Sequence, residues 1–246
     1  MADTSADSSN EILASVWRGT ASGGRYELFR VPARESQTVL DVVSWIQQSA
    51  DPTLSYRFAC RVGMCGSCAM MVNGQPRWTC RTHVKRVLKQ GRIEIGPLRN
   101  LPVIKDLVAD LDPFFDKWIK AGGVHRPGRS RDDPIQQVRP DEPRRMEADK
   151  GIECINCAVC YAACDTVANN PDYLGPAALQ RAWTLYNDDK HAGRRAILKA
   201  VSGAGGCHNC HSQGGCTHYC PNTLDPLGAI AGLKRETARS FLARQE

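Results

Sequence analysis

The residues in this chain best suited to chemistry are its twelve cysteines, which fall in three groups of four: Cys60, Cys65, Cys68 and Cys80; Cys154, Cys157, Cys160 and Cys164; Cys207, Cys210, Cys216 and Cys220. Thiolates bind soft metals, and clustered spacings of this kind read as metal sites. Cys60-x4-Cys65-x2-Cys68 is the plant-type [2Fe–2S] spacing. Gly63, Gly66 and Ser67 suit a tight loop whose backbone N–H groups turn toward sulfide. Cys80 follows an Asn73-Gly74 hairpin signal that would return it to the same loop. The bland alternative is four buried structural cysteines.

Cys154-x2-Cys157-x2-Cys160-x3-Cys164 is the bacterial iron–sulfur run, with Asp165 where proline is usual. Its offsets of 0, 3, 6 and 10 recur at Cys210, Gln213, Cys216 and Cys220, with Gln213 in place of the second cysteine. In two-cluster chains the fourth cysteine of each run ligates the other cluster. That rule assigns Cys154, Cys157, Cys160 and Cys220 to a [4Fe–4S] cluster. It leaves Cys164, Cys210 and Cys216, a three-thiolate set that fits [3Fe–4S]. Cys207 is left over, as an extra thiol or as a fourth iron ligand. A zinc reading built on Cys154-x2-Cys157 and Cys207-x2-Cys210 would leave four cysteines without a role. His208, His211 and His218 fall within the last run, as donors to cluster sulfurs or as walls of a substrate or quinone pocket. Lys234 reads as a solvated lysine on the last helix.

The elements that must hold these thiols differ between the two ends of the chain. The first end predicts strands around one helix. Strands are expected at 12–17 and 26–31, joined by a Gly23-Gly24 turn, with a helix over 38–48 capped by Thr38 or Ser36. A hairpin of 69–72 and 76–78 and a strand at 92–95 follow, and 107–120 reads as helical, interrupted at Asp112-Pro113. The other end predicts helices between cysteine loops, at 176–186, 192–201 and 226–243, the last beginning at an Asp225-Pro226 start signal. Residues 122–150 carry Pro127, Pro134, Pro140 and Pro143 and little apolar periodicity, and read as a linker. The expected domains are therefore 1–121 and 151–246, with 122–150 between them. The fold class is α+β.

Composition removes other classes. Cysteine is about 5% of the 246 residues, below the level of small disulfide scaffolds. No apolar run approaches the roughly 20 residues of a membrane span. The acidic, polar start MADTSADSSNEIL lacks the marks of secretory or mitochondrial targeting. The 32 basic and 26 acidic residues give a net charge of +6. Three oxidised clusters with their thiolates carry about −2 each, which would nearly neutralise that excess. The basic residues are scattered, and no nucleic-acid partner is expected. No GxGxxG, P-loop or catalytic triad is readable. Three clusters without a substrate site describe a wire for electrons, and no catalytic residue is expected on this chain.

At this point the chain resembles a known family, the iron–sulfur subunits of succinate dehydrogenase and fumarate reductase (respiratory complex II). The resemblance rests on CRVGMCGSC at 60–68, LPVIKDLVAD at 101–110, CINCAVCYAAC at 154–164, YLGPA at 173–177 and CTHYCPNTLDP at 216–226, and covers most of the chain. It implies a β-grasp [2Fe–2S] ferredoxin domain followed by an all-helical two-cluster ferredoxin-like domain. It implies the same ligand sets as the repeat. It implies an FAD-containing flavoprotein partner, and one or more membrane-anchor subunits, with or without haem, where quinone reacts. His211 and Lys234 would lie near that quinone. The implied location is peripheral, on the cytoplasmic face of a bacterial inner membrane. The chain departs from many succinate dehydrogenases at Asp165–Asn169, where those have proline and then a tryptophan pair.

Overall fold

The computed structural model describes residues 11–243. The acidic segment 1–10, which carries most of the targeting expectation, lies outside them. The chain forms two compact units. One runs to Asp110, and the other begins at Leu111 and includes Arg99–Leu101.

In the first unit, β1 (Glu11–Thr20) is the centre of a seven-stranded mixed sheet. It pairs antiparallel with β2 (Gly23–Pro32), parallel with β5 (Arg92–Gly96), and at Thr20 with β6 (Val103–Lys105). β3 (Ala69–Val72) and β4 (Gln75–Trp78) form the expected hairpin, β3 joins β5, and β7 (Val108–Ala109) joins β6. Asn73 and Gly74 both have positive φ, 49° and 76°, the conformation of a type I′ turn. The alternation of β1 buries Ile12, Ala14 and Val16. They pack with Val39, Val42 and Val43 of the helix that the sheet grasps, with Ile46 of the turn that follows it, and with Ile93 and Ile95 of β5.

That helix, α1 (Val39–Trp45), starts at Thr38 with a full capping box. The Thr38 hydroxyl accepts from Asp41 N, and the Asp41 carboxylate accepts from Thr38 N. It ends in a π turn over Ile46–Ala50. Beyond the β3–β4 hairpin, a 3-10 turn (Thr79–Arg81) and α2 (Val84–Val87) lead to β5. At the open end of the sheet, the buried Asp106 carboxylate accepts from Gly19 N at 3.1 Å and Ser55 N at 2.9 Å, and pairs with Arg18 at 3.0 Å. Arg18 also grips Asp51, whose carboxyl is held down to about 2 by the Thr53 hydroxyl and by Arg18.

Two expectations shift here. The β1–β2 turn is Ala21-Ser22, and Gly23-Gly24 lie in β2. Gly24 serves packing instead: a Cβ there would stand 2.5 Å from the Trp17 ring. Residues 107–109 are not helical, because β7 completes the sheet edge, and the helix begins only at Asp112.

The second unit is helical: α3 (Asp112–Lys120), α4 (Pro143–Ile152), α5 (Val159–Ala162), α6 (Asp165–Asn169), α7 (Pro176–Asn187), α8 (Arg194–Val201), a 3-10 turn (Cys207–Asn209), α9 (Gly215–His218) and α10 (Pro226–Leu242). α7 is the axis. Ten of its twelve residues are buried, as befits a helix covered on all sides, and α3, α4, α5, α8 and α10 pack on it. Trp183 lies against Gly232 of α10, where a Cβ would come within 2.6 Å of the ring. Its indole N–H donates to Glu147 of α4 at 3.1 Å. Tyr186 donates to Glu236 of α10 at 2.9 Å. Asp225 caps α10 by accepting from Gly228 N.

Because α3 packs on α7, the division falls earlier than the 1–121 boundary read from sequence. The stretch 122–150 is likewise not all linker. Its last part forms α4, held to α7 by Glu147 and by the Arg144 guanidinium on the Tyr186 carbonyl. Among the described residues, no helix is long and apolar enough to cross a membrane.

Candidate metal centres

No disulfide joins any of the twelve cysteines. Cys60, Cys65 and Cys68 lie on the loop between the π turn and β3, and Cys80 lies on the 3-10 turn after β4. The hairpin register Ala69↔Trp78, extended by Thr79 N and Oγ1 donating to Cys68 O at 3.2 and 2.8 Å, sets Cys68 beside Cys80. Left-handed φ at Arg61, Gly63 and Gly66 curls the loop. Its N–H groups then point inward: Val62, Met64 and Cys65 N donate to Cys60 Sγ at 3.4, 3.2 and 3.3 Å. Gly63 is favoured by its φ of 77°, and a Cβ there would also press on Arg81 Cγ at 3.0 Å. Arg61 ties the loop to α1 through Asp41 and Ser44, each at 3.3 Å.

This cradle fits a thiolate-bound cluster. Donors aimed at sulfur stabilise its charged form. The Cys60 N–H and the Ser67 hydroxyl bring the Cys65 thiol down to about 6. Burial beside Cys68 pushes Cys80 up to about 11, a cost that binding to iron would reverse.

The second unit repeats itself in backbone as well as spacing. Asn156 and Ser212 have φ of 56° and 59°, and Ala158 and Gly214 have φ of 61° and 80°. Each left-handed pair opens a four-residue helix, α5 bearing Cys160 and α9 bearing Cys216. Several hydrogen bonds correspond between the two runs. Ala162 N to Ala158 O matches His218 N to Gly214 O, both 3.0 Å, and Cys164 N to Tyr161 O at 3.2 Å matches Cys220 N to Thr217 O at 3.3 Å. Upstream, Cys154 N to Gly151 O matches Cys210 N to Cys207 O, both 3.2 Å. Cys207 is therefore the counterpart of Gly151, not of a cysteine, and the counterpart of Cys157 is the exposed Gln213.

The thiols of the two runs are interleaved. Burial raises Cys154, whose neighbour from the other run is Cys220. Burial also raises Cys160 far above its usual value, beside Cys157, Cys154, Cys216 and Cys220. Cys216 goes up to about 11, through burial and then the proximity of Cys164 and Cys210. Tyr173 is buried against this second set, its phenol bonded to Cys210 and facing Cys164 and Cys216. Half-buried and buried thiols this close together, with no disulfide among them, fit a donor set for polynuclear iron. Bound there, iron–sulfur clusters supply one-electron chemistry. The scaffold is fixed by Asn100, which donates to Tyr161 O at 2.9 Å and Cys164 O at 3.0 Å, and by Lys117 on the Tyr161 hydroxyl at 3.0 Å.

Cys207 is buried against α10, with Sγ 3.9 Å from Thr237 Oγ1. Of the histidines, His208 pairs through Nε2 with Thr237 Oγ1 at 2.9 Å, and His218 stacks edge-on with Tyr219. Neither contact is with a cluster sulfur. His211 is exposed beside Cys210, and Lys234 donates to Cys210 O at 2.7 Å. Sequence reasoning assigned no role to Tyr173, Asn100 or Lys117. Only the YLGPA stretch drew attention to the first.

A β-grasp unit with a plant-type thiol loop, followed by a helical unit with two interleaved runs, defines a multi-cluster iron–sulfur electron-transfer protein. Residues 14–116 match the family described as "2Fe-2S iron-sulfur cluster binding domain", and residues 153–225 match "4Fe-4S dicluster domain". The fumarate reductase iron–sulfur subunit of Mycobacterium tuberculosis is 36% identical over 230 residues, 91% of this chain and 90% of that one. That of Haemophilus influenzae is 33% identical over 225 residues, 87% of each. The succinate dehydrogenase iron–sulfur subunit of Paracoccus denitrificans is 36% identical over 201 residues, 80% of this chain and 74% of that one. A chain of the solved "Mycobacterium smegmatis Sdh1 complex in the apo form" shares the fold, with a TM-score of 0.84 over 94% of this chain and 97% of that one, at 24% identity. The chain belongs to the family of fumarate reductase and succinate dehydrogenase iron–sulfur subunits. It is the electron-transfer subunit of an oxidoreductase of that type.

Proposed function

We propose that this chain carries electrons between an FAD-containing dicarboxylate subunit and quinone through [2Fe–2S], [4Fe–4S] and [3Fe–4S] clusters. Cys60, Cys65, Cys68 and Cys80 hold the first. Cys154, Cys157, Cys160 and Cys220 hold the second. Cys164, Cys210 and Cys216 hold the third. Quinone reacts at a membrane-anchor subunit, near His211 and Lys234, with the chain peripheral on the cytoplasmic face of a bacterial inner membrane. The observation that carries the ligand assignment is the backbone repeat. It supports a four-thiol set completed by Cys220 and a three-thiol set that has Gln213 where its fourth ligand would be. It also supports leaving Cys207 outside both.

Low-temperature EPR of the anaerobically prepared complex tests this reading. A signal in the oxidised sample that vanishes on mild reduction is the expected result, since only an oxidised [3Fe–4S] centre is paramagnetic among the three. A silent oxidised sample that develops two [4Fe–4S] signals on reduction would overturn the three-thiol assignment. In Cys210→Ser the oxidised signal and quinone reduction should fall, while the flavoprotein still reduces an artificial dye. Unchanged quinone reduction would count against the route.

A further inference from the structure

A cleft of about 810 Å³ in the helical unit is lined by Arg126, Gln136, Asp189, His191, Arg194 and Arg195. None of these is a proposed cluster ligand, and nothing in the electron route uses them. Its charges are badly matched. Three guanidinium groups line it and Asp189 is its one carboxylate. That carboxylate is shared, by Arg194 at 2.5 Å and by Arg144 from α4 at 3.9 Å. The nearby Asp188 faces His125 at 3.6 Å, and Glu236 is occupied by Tyr186 and Arg239. The Arg194 Nε is buried and has no hydrogen-bond partner.

The start of α8 makes the mismatch worse. Gly193 offers no side-chain cap, and the first turn carries Arg194 and Arg195 with no acid. The positive end of a helix dipole and its unpaired N–H groups favour anions there, not arginines. At that position Arg194 is offset by Asp189 alone, which it shares with Arg144, and Arg195 has no acid in the same turn. Guanidinium forks match the oxygens of phosphate in pairs, and the size of the cleft admits such a group with its water.

We propose that this cleft is a phosphate-binding site, taking a free phosphate or the phosphate of an anionic lipid headgroup through Arg126, Arg194, Arg195 and the first turn of α8. Equilibrium dialysis of the purified complex against radiolabelled inorganic phosphate at low ionic strength tests it. The expected result is one saturable site per chain, at least about tenfold weaker in Arg194→Gln/Arg195→Gln, the effect of losing a charge-assisted hydrogen bond. The single Arg126→Gln variant, outside the helix, should weaken it as well. Cluster EPR of each variant reports whether the unit is intact, and is independent of this site. Competition separates the sources. Short-chain phosphatidylglycerol displacing the label better than inorganic phosphate identifies a lipid headgroup, and the reverse order identifies free phosphate. Absence of saturable uptake, or uptake equal in wild type and in variants with intact clusters, overturns the proposal.

Discussion

Tyr173→Phe isolates what a single hydroxyl does for the proposed three-thiol centre. The phenol is buried, bonds Cys210, and faces Cys164 and Cys216. Burial and then the Cys210 and Cys164 thiolates raise its pKa, so it stays a protonated donor at every working pH. Phenylalanine keeps the ring and its packing and removes only that donor, so the folding cost should be about 1 kcal/mol. The redox consequence is of similar size and can be read separately. A hydrogen bond to a charged acceptor is worth about 1.5–3 kcal/mol, and it strengthens when an added electron increases the charge on sulfur. If about 1 kcal/mol of it is specific to the reduced state, removal lowers the midpoint potential by about 40 mV, taking 59 mV per tenfold for one electron. The assay is a redox titration of the oxidised-state EPR signal in wild type and variant. The [2Fe–2S] and [4Fe–4S] potentials serve as internal controls. A three-thiol potential that stays put or rises, in a variant with unchanged EPR line shape, would refute the argument.

Gln213→Cys places a thiol at the counterpart of Cys157, in a backbone already shaped for four ligands. The oxidised EPR signal should disappear and a second reduced [4Fe–4S] signal should appear. Gly232→Ala should destabilise the helical unit by about 1–2 kcal/mol in denaturant titrations. The usual helix gain of about 1 kcal/mol is outweighed by overpacking of about 1–3 kcal/mol against Trp183, which its bond to Glu147 and its stack on Tyr186 hold in place. His191 should make the same unit acid-sensitive. Its Nδ1 accepts from Arg126 N at 3.0 Å, and burial followed by the nearby His125 lowers its pKa below 6.5. The unfolded ring takes a proton before the folded one, so this contribution is complete above 6.5 and is lost as pH falls below it. Denaturation midpoints should decline through that window in wild type and decline less in His191→Asn.

The iron–sulfur class of the chain was legible because cluster ligation imposes fixed spacings on cysteines. The Thr38 cap, the Asn73-Gly74 turn and the Asp225-Pro226 start were legible because each is decided within four residues. What the sequence hid has physical reasons as well. The strands β6 and β7 are three and two residues long, too short to show a period, and long-range pairing alone makes them strands. α4 has almost no apolar face, with only Ala148 buried. It is held by polar side chains reaching across to α7, which no local pattern announces. Gly23-Gly24 reads as a turn, yet Gly24 makes room for Trp17 across the strand pair, which only the paired register supplies. The arginines of the cleft come from separate stretches at 126 and 194–195, and meet only in three dimensions.

The parallel ladder between β1 and β5 joins residues 13–16 to residues 92–95, and Cys60, Cys65, Cys68 and Cys80 all lie inside the loop it closes. Synthesis runs in one direction, so this sets an order of events on the ribosome. The β1–β2 hairpin emerges first and stands with an unpaired edge, and a lone hairpin is at best marginally stable in water. Parallel pairing over so long a separation is slow to form, and it has to wait for β5. Co-translational folding of this unit can therefore form local hairpins and the helix, but cannot close the sheet around β1 before every thiol for its cluster has already been made.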